Sequence, residues 1–169
     1  MRNLKAVSAI AAAVIAAGAI SGCGEKKGED ASTGAPGATT SISVTDAVGA
    51  LPLMTKKSKD GVILASIGGR TVYSYDTEGD KAPSCTGECA WTWLPVISAG
   101  GVSITKQLDA SKVGAVTRGE GKKQVTYGGH PLYYYARDGG ATPVTGNGKV
   151  DFDITWRTIT PEGEFTQSK

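Results

Sequence analysis

The chain has 169 residues, enough for one ordinary domain and not comfortably two. Its 18 Lys and Arg stand against 16 Asp and Glu, and the only basic runs are Lys56-Lys57 and Lys122-Lys123, so the stripe that a nucleic-acid partner requires is missing. Cys23, Cys85 and Cys89 are the only thiols and His130 is the only imidazole, too few ligands at too wide a spacing for a metal site.

In chain order, the first 22 residues read as a secretory signal. Arg2 and Lys5 give a basic start, and residues 6–20 are an apolar stretch shorter than the roughly 20 residues of a spanning helix. "ISGC" at 20–23 then places small residues before Cys23, and this resembles the lipobox of bacterial lipoproteins. The resemblance implies cleavage before Cys23 and a thioether-linked lipid there, with palmitate among the acyl chains. More than one acyl chain anchors a protein stably without a transmembrane helix. Arg2 and Lys5 leave with the signal, so the 18 basic residues become 16 and equal the acidic count. Residues 23–41 are rich in Gly, Ala, Ser, Thr and charge and read as a flexible tether, and the patterned domain occupies 42–169.

The domain reads as all-β. "VILASI" at 62–67 is a run of β-formers between Gly61 and Gly68. Gly68-Gly69 is a hairpin signal. Residues 71–75 then alternate, with Thr71, Tyr73 and Tyr75 on one face and Val72 and Ser74 on the other. "CTGEC" at 85–89 is next, and export favours a local disulfide across it. Its rival is a thiol redox pair, which usually has two spacers rather than three. "TWLPVI" at 92–97 reads as a short strand, with Pro95 marking an edge or an end. Residues 108–113 have room for one helical turn, and no longer stretch beyond the signal has helical periodicity. "VGAVTR", "KQVTY", "LYYYA" and "DITWRTIT" complete the strand set, with glycine turns at 119–121 and 128–129.

Two passages repeat one pattern. "GGRTVYSYDTEGD" at 68–80 and "GGHPLYYYARDGG" at 128–140 each open on Gly-Gly, place two Tyr two apart, and put an acid three beyond the second Tyr. The residues are Tyr73, Tyr75 and Glu78 in the first, and Tyr133, Tyr135 and Asp138 in the second. A Trp follows each, Trp93 and Trp156. The spacing suggests two internal repeats of about 60 residues, near 61–98 and 116–159, packed as a small antiparallel sheet or sandwich with pseudo-two-fold symmetry.

These motifs resemble a family of bacterial lipoproteins marked by Tyr-x-(Phe/Trp/Tyr)-x-x-Asp, a secreted repeat of unknown function. Tyr133, Tyr135 and Asp138 fit the motif, and "TGNGKV" at 145–150 fits its downstream turn. In the first passage Glu78 stands where Asp is usual. The family's Cys-x-x-x-Cys with following Trp and Pro has its counterparts in Cys85, Cys89, Trp93 and Pro95, so the resemblance runs over 61–159.

Two chemistries fit the motif. The carboxylate can accept from backbone N–H groups of the turn it enters while the phenols pack. Alternatively, the aromatics and the acid line a binding site. Catalysis lacks a signature: His130 precedes Pro131 with no nucleophile motif beside it. Asp76, Glu78 and Asp80 alternate, but without the ordered frame of a calcium loop. The expected function is a membrane-anchored, extracytoplasmic, non-enzymatic binding or accessory module of the cell envelope. It needs no cofactor and no nucleic acid; its partners are the membrane, through the lipid, and another envelope protein. The alternative is an electron-transfer or cofactor-handling lipoprotein.

Overall fold

The structure, a computed structural model, describes residues 37, 39–76 and 84–167. Cys23, the signal, most of the tether and Glu78 lie outside the described residues. The strands in chain order are β1 (Thr39–Thr40), β2 (Leu51–Ser58), β3 (Gly61–Ser66), β4 (Arg70–Thr71), β5 (Tyr73–Ser74), β6 (Trp93–Pro95), β7 (Val102–Ile104), β8 (Val113–Thr117), β9 (Lys123–Tyr127), β10 (His130–Pro131), β11 (Tyr133–Tyr135), β12 (Val150–Asp151), β13 (Ile154–Thr155) and β14 (Arg157–Thr158). One short helix, α1 (Glu88–Thr92), precedes β6.

The all-β expectation holds, although the strands divide among several small sheets. Three have four strands, in the orders β4-β3-β2-β7, β1-β8-β9-β10 and β14-β5-β11-β6, and β12–β13 is a separate hairpin. Among these strands every pairing is antiparallel except that of β2 with β7. The reason for the division lies at Val72 and Leu132. Arg70 and Thr71 pair with β3, Val72 follows, and Tyr73 is already in another sheet. His130 and Pro131 pair with β9, Leu132 follows, and Tyr133 joins the same second sheet. A five-residue alternation is thus two two-residue strands in different sheets. The alternation of side chains survives the switch: Val72 and Leu132 enter an aliphatic cluster, and Tyr73 and Tyr133 an aromatic one.

The Gly-Gly corners make this possible. Gly128 and Gly129 both have positive φ, 60° and 85°, and close the two-residue turn that sets His130 opposite Tyr127. Gly68 and Gly69, also at positive φ, sit in a 3-10 turn, Ile67–Gly69, that sets Arg70 opposite Ser66.

The aliphatic cluster holds Leu53, Leu64, Val72, Val96, Val125, Leu132 and Ile159. Backbone bonds run through it in matching ways. Leu64 N donates to Ile159 O at 2.8 Å, and Val125 N donates to Val96 O at 2.8 Å. Val72 N donates to Leu64 O at 3.4 Å, and Leu132 N to Val125 O at 2.9 Å.

Two local features differ from the sequence expectation. Helix α1 begins at the end of "CTGEC" and runs on through Thr92, the first residue of the expected strand; Cys89 is its buried residue, so a covalent constraint and one inward side chain settle five residues that show no helical period. The turn expected at 108–113 is a 3-10 segment, Ala110–Lys112, capped by Asp109, whose Oδ1 accepts from Ser111 N at 2.9 Å.

Candidate functional site

The strand order β14-β5-β11-β6 gathers the aromatic residues of both passages. Tyr73 pairs with Tyr133 at the centre, Tyr135 faces Trp93, and Thr158 pairs with Tyr73 on the far side. The strand after Trp156 thus pairs with the Tyr strand of the first passage, and the Trp93 strand pairs with the Tyr strand of the second. Each Tyr strand is completed by the other passage's Trp strand.

Period-two geometry then directs Tyr73, Tyr75, Tyr133 and Tyr135 to one side, where they meet both tryptophans. Trp93 and Trp156 are stacked, with centroids 4.0 Å apart and planes 3° apart. Tyr135 stacks on the other side of Trp93 at 4.4 Å. Tyr73 meets Trp93 edge-on at 5.5 Å, and Tyr75 and Tyr133 both meet Trp156 edge-on at 5.0 Å. Such pairs add about 0.5–1.5 kcal/mol each beyond the area they bury. Tyr73, Tyr133, Trp93 and Trp156 are wholly buried, and Tyr75 and Tyr135 nearly so.

Asp138 is the polar key of this cluster and is itself buried. Its Oδ2 accepts from the Tyr73 hydroxyl at 2.5 Å, and its Oδ1 accepts from the Thr145 hydroxyl at 2.6 Å and from Thr145 N at 3.1 Å. The Tyr73 oxygen in turn accepts from Gly146 N at 3.2 Å. Gly146 must be glycine for reasons of space: a Cβ there would come within 2.8 Å of the Trp93 ring and 3.0 Å of Tyr73. Burial, and next the Asp138 carboxylate, push the Tyr73 phenol well above its ordinary pKa. Burial does the same to Tyr133, helped by the Tyr75 phenol. Both rings therefore stay protonated at any physiological pH.

Tyr75 is anchored differently. Its oxygen accepts from Ser84 N at 2.9 Å and lies 3.2 Å from the Ser84 hydroxyl and 3.5 Å from the Tyr133 hydroxyl. Cys85 and Cys89 are bonded to each other beside it, and both belong to the aromatic cluster. Arg118 ties this loop to the second hairpin, donating to Cys85 O and to Gln124 Oε1, each at 2.7 Å. The Trp156 indole N–H donates to Asp151 O at 3.4 Å, whereas the buried Trp93 N–H has no partner among the described residues.

The structure therefore brings Tyr73, Tyr75, Trp93, Tyr133, Tyr135, Asp138 and Trp156 into one buried cluster with the disulfide at its edge. His130 stands apart: half-buried, its ring lies 4.4 Å from Phe165, and burial lowers its pKa against the opposing charges of Asp76 and Glu164. Sequence reasoning missed Thr145 and Gly146 as partners of the motif, although the glycines of "TGNGKV" marked the turn. It also missed two exposed aromatics. Trp91 is 78% exposed on α1, and Phe152 is 49% exposed in the β12–β13 turn. No helix among the described residues is long and apolar enough to cross a membrane.

No curated protein and no solved structure matches the chain. The model of one protein family does, over residues 114–160, from the β8–β9 hairpin through the second Tyr motif to the strand after Trp156. That stretch is similar to a family described as a secreted repeat of unknown function, Lipoprotein_15.

Proposed function

We propose that the protein is a membrane-anchored, extracytoplasmic lipoprotein acting as a non-enzymatic binding or accessory module of the cell envelope. The matched family is secreted, which supports the location. Cys23 and the sequence before it support the anchor. The observation that carries the accessory role is the burial of the doubled motif. The Tyr73, Tyr75 and Tyr133 phenols and the Asp138 carboxylate bond to one another and to Thr145, Gly146 and Ser84, which suits a rigid core better than a reacting site. We read the matching order of β2–β5 and β8–β11 as an internal duplication that builds this core.

The test is fractionation of cells expressing the full chain and Cys23→Ala. The parent chain is expected in the membrane fraction as processed protein, and Cys23→Ala as uncleaved precursor or as released protein. Normal processing and membrane association of Cys23→Ala would overturn the anchor. A second reading, an electron-transfer or cofactor-handling lipoprotein, has the stacked Trp156–Trp93–Tyr135 column in its favour. A chromophore band in the absorption spectrum of protein purified from its native envelope would establish it in place of the first.

A further inference from the structure

The β12–β13 hairpin turns on two residues, Phe152 at φ 57° and Asp153 at φ 59°. Among the described residues these are the only non-glycine positions with positive φ. A two-residue turn with both central residues left-handed is ordinarily built from Asn-Gly or Gly-Gly. A bulky aromatic there is a true outlier, and strain of this kind gathers at functional sites. Burial does not account for the choice, because Phe152 is half exposed.

Phe152 lines a cavity of about 460 Å³, together with Ile154, Ser84, Thr86, Glu88 and Cys89. That volume falls within the roughly 300–1,000 Å³ of small-ligand pockets. The hairpin and the disulfide loop that supply the lining are both braced. Trp156 holds Asp151, the Cys85–Cys89 bond closes the loop, and Arg118 grips Cys85 O. Thr86 and Glu88 are exposed and their side chains make no hydrogen bond within the described residues, while the Ser84 hydroxyl lies 3.2 Å from the Tyr75 oxygen. The surface thus offers an apolar ring face beside free hydroxyl and carboxylate groups.

We infer that this cavity is a subsite for one pyranose ring of a neutral envelope polysaccharide, with the sugar's C–H face on Phe152 and its hydroxyls on Glu88 and Thr86. The inference rests on the extracytoplasmic reading above, which puts polysaccharide within reach. Competing ligands fit less well. An anionic group would meet the Glu88 carboxylate. An apolar peptide would strip water from Glu88 and Thr86 and return no hydrogen bond. A sugar hydroxyl donates to a carboxylate in a charge-assisted bond, about twice as strong as a neutral one.

Phe152→Gly gives an unusually clean test, because glycine adopts the same φ without strain. The variant should melt at or above the parent's temperature. Calorimetric titration of the full chain, in a detergent without sugar headgroups, uses chitotetraose and cellotetraose as probes and polygalacturonate as the charged comparison. The parent should bind at least one neutral oligosaccharide. Phe152→Gly should weaken that binding at least tenfold, and Glu88→Gln about fivefold. Absence of binding to both neutral probes, preference for the polyanion, or unchanged binding by Phe152→Gly would each overturn the subsite. These results leave the location untouched, since fractionation of the same cells reports it independently: a correctly anchored protein that binds no sugar refutes the subsite alone.

Discussion

The two halves of the aromatic core pair their strands alike and are tied down differently. Tyr73 and Tyr133 pair in one register, each Tyr strand takes a Trp strand from the other passage, and Trp93 and Trp156 meet face to face. The polar anchors do not match. Tyr73 has a buried carboxylate 65 positions away in sequence, while its counterpart Tyr133 has only the Tyr75 hydroxyl, at 3.5 Å. Trp156 has a hydrogen-bond partner, and Trp93 has none among the described residues. Strand pairing and the Trp pair keep the symmetry, although Tyr135 stacks on Trp93 where Tyr75 meets Trp156 edge-on. A polar tip needs only some partner, and each half finds its own.

The strongest way to break this symmetry is at the stack. Trp156→Ala removes the ring that Trp93, Tyr75 and Tyr133 all contact, and should cost about 3–5 kcal/mol, read as a loss of the cooperative melt or a large fall in Tm. Asp138→Ala comes next. It leaves the Tyr73 and Thr145 hydroxyls and Thr145 N without their acceptor, at about 1–3 kcal/mol. An unchanged Tm would remove Asp138 from the structural role and return it to a binding role. Reducing Cys85–Cys89 releases a short loop only, so the expected loss is about 2 kcal/mol. Intact-mass measurement after alkylation should find neither thiol free before reduction. Tyr75→Phe frees a single N–H close to the surface at Ser84 and should cost about 1 kcal/mol. An equal or larger effect than that of Asp138→Ala would show that the two anchors carry similar weight after all.

Alkali tests the same contrast without mutation. Tyr73 and Tyr133 have folded pKa values raised above the usual value of 10.0, so the unfolded chain gives up these protons first. Their stabilising contribution is complete below pH 10 and is lost as pH climbs beyond it. The phenolate absorbance contributed by Tyr73 and Tyr133 should therefore rise together with unfolding rather than ahead of it. Tyr73→Phe, whatever it costs at neutral pH, should make stability fall less steeply as pH climbs above 10.

Much of this was readable from residues. Gly-Gly corners, runs of β-formers and the period-two Tyr pairs located most strands, because each is a local signal. The division into several sheets was not readable, since Val72 and Leu132 look like ordinary members of an alternating strand until the partner strands are known. The bond from Tyr73 to Asp138 joins residues of different passages, and nothing local announces it. Helix α1 owes its form to a covalent ring and one inward Cys rather than to a period. The Phe152–Asp153 turn escaped notice because it lacks the Asn or Gly by which such turns are recognised.

The exchange of Trp strands between the two passages governs how the chain reaches its final state. Neither passage can complete its sheet from its own residues. Strand β5, formed near residue 73, waits for a neighbour near residue 133 and another near 157. Closing such distant pairs requires loop-closure entropy to be overcome before contacts reward it, which slows folding. A chain made from its N-terminus therefore has its first tyrosine strand unpaired and cannot close the stack until residues 156–158 have followed. The same topology lets two copies trade these strands, so high concentration during folding favours exchanged pairs and dilution favours the single closed chain.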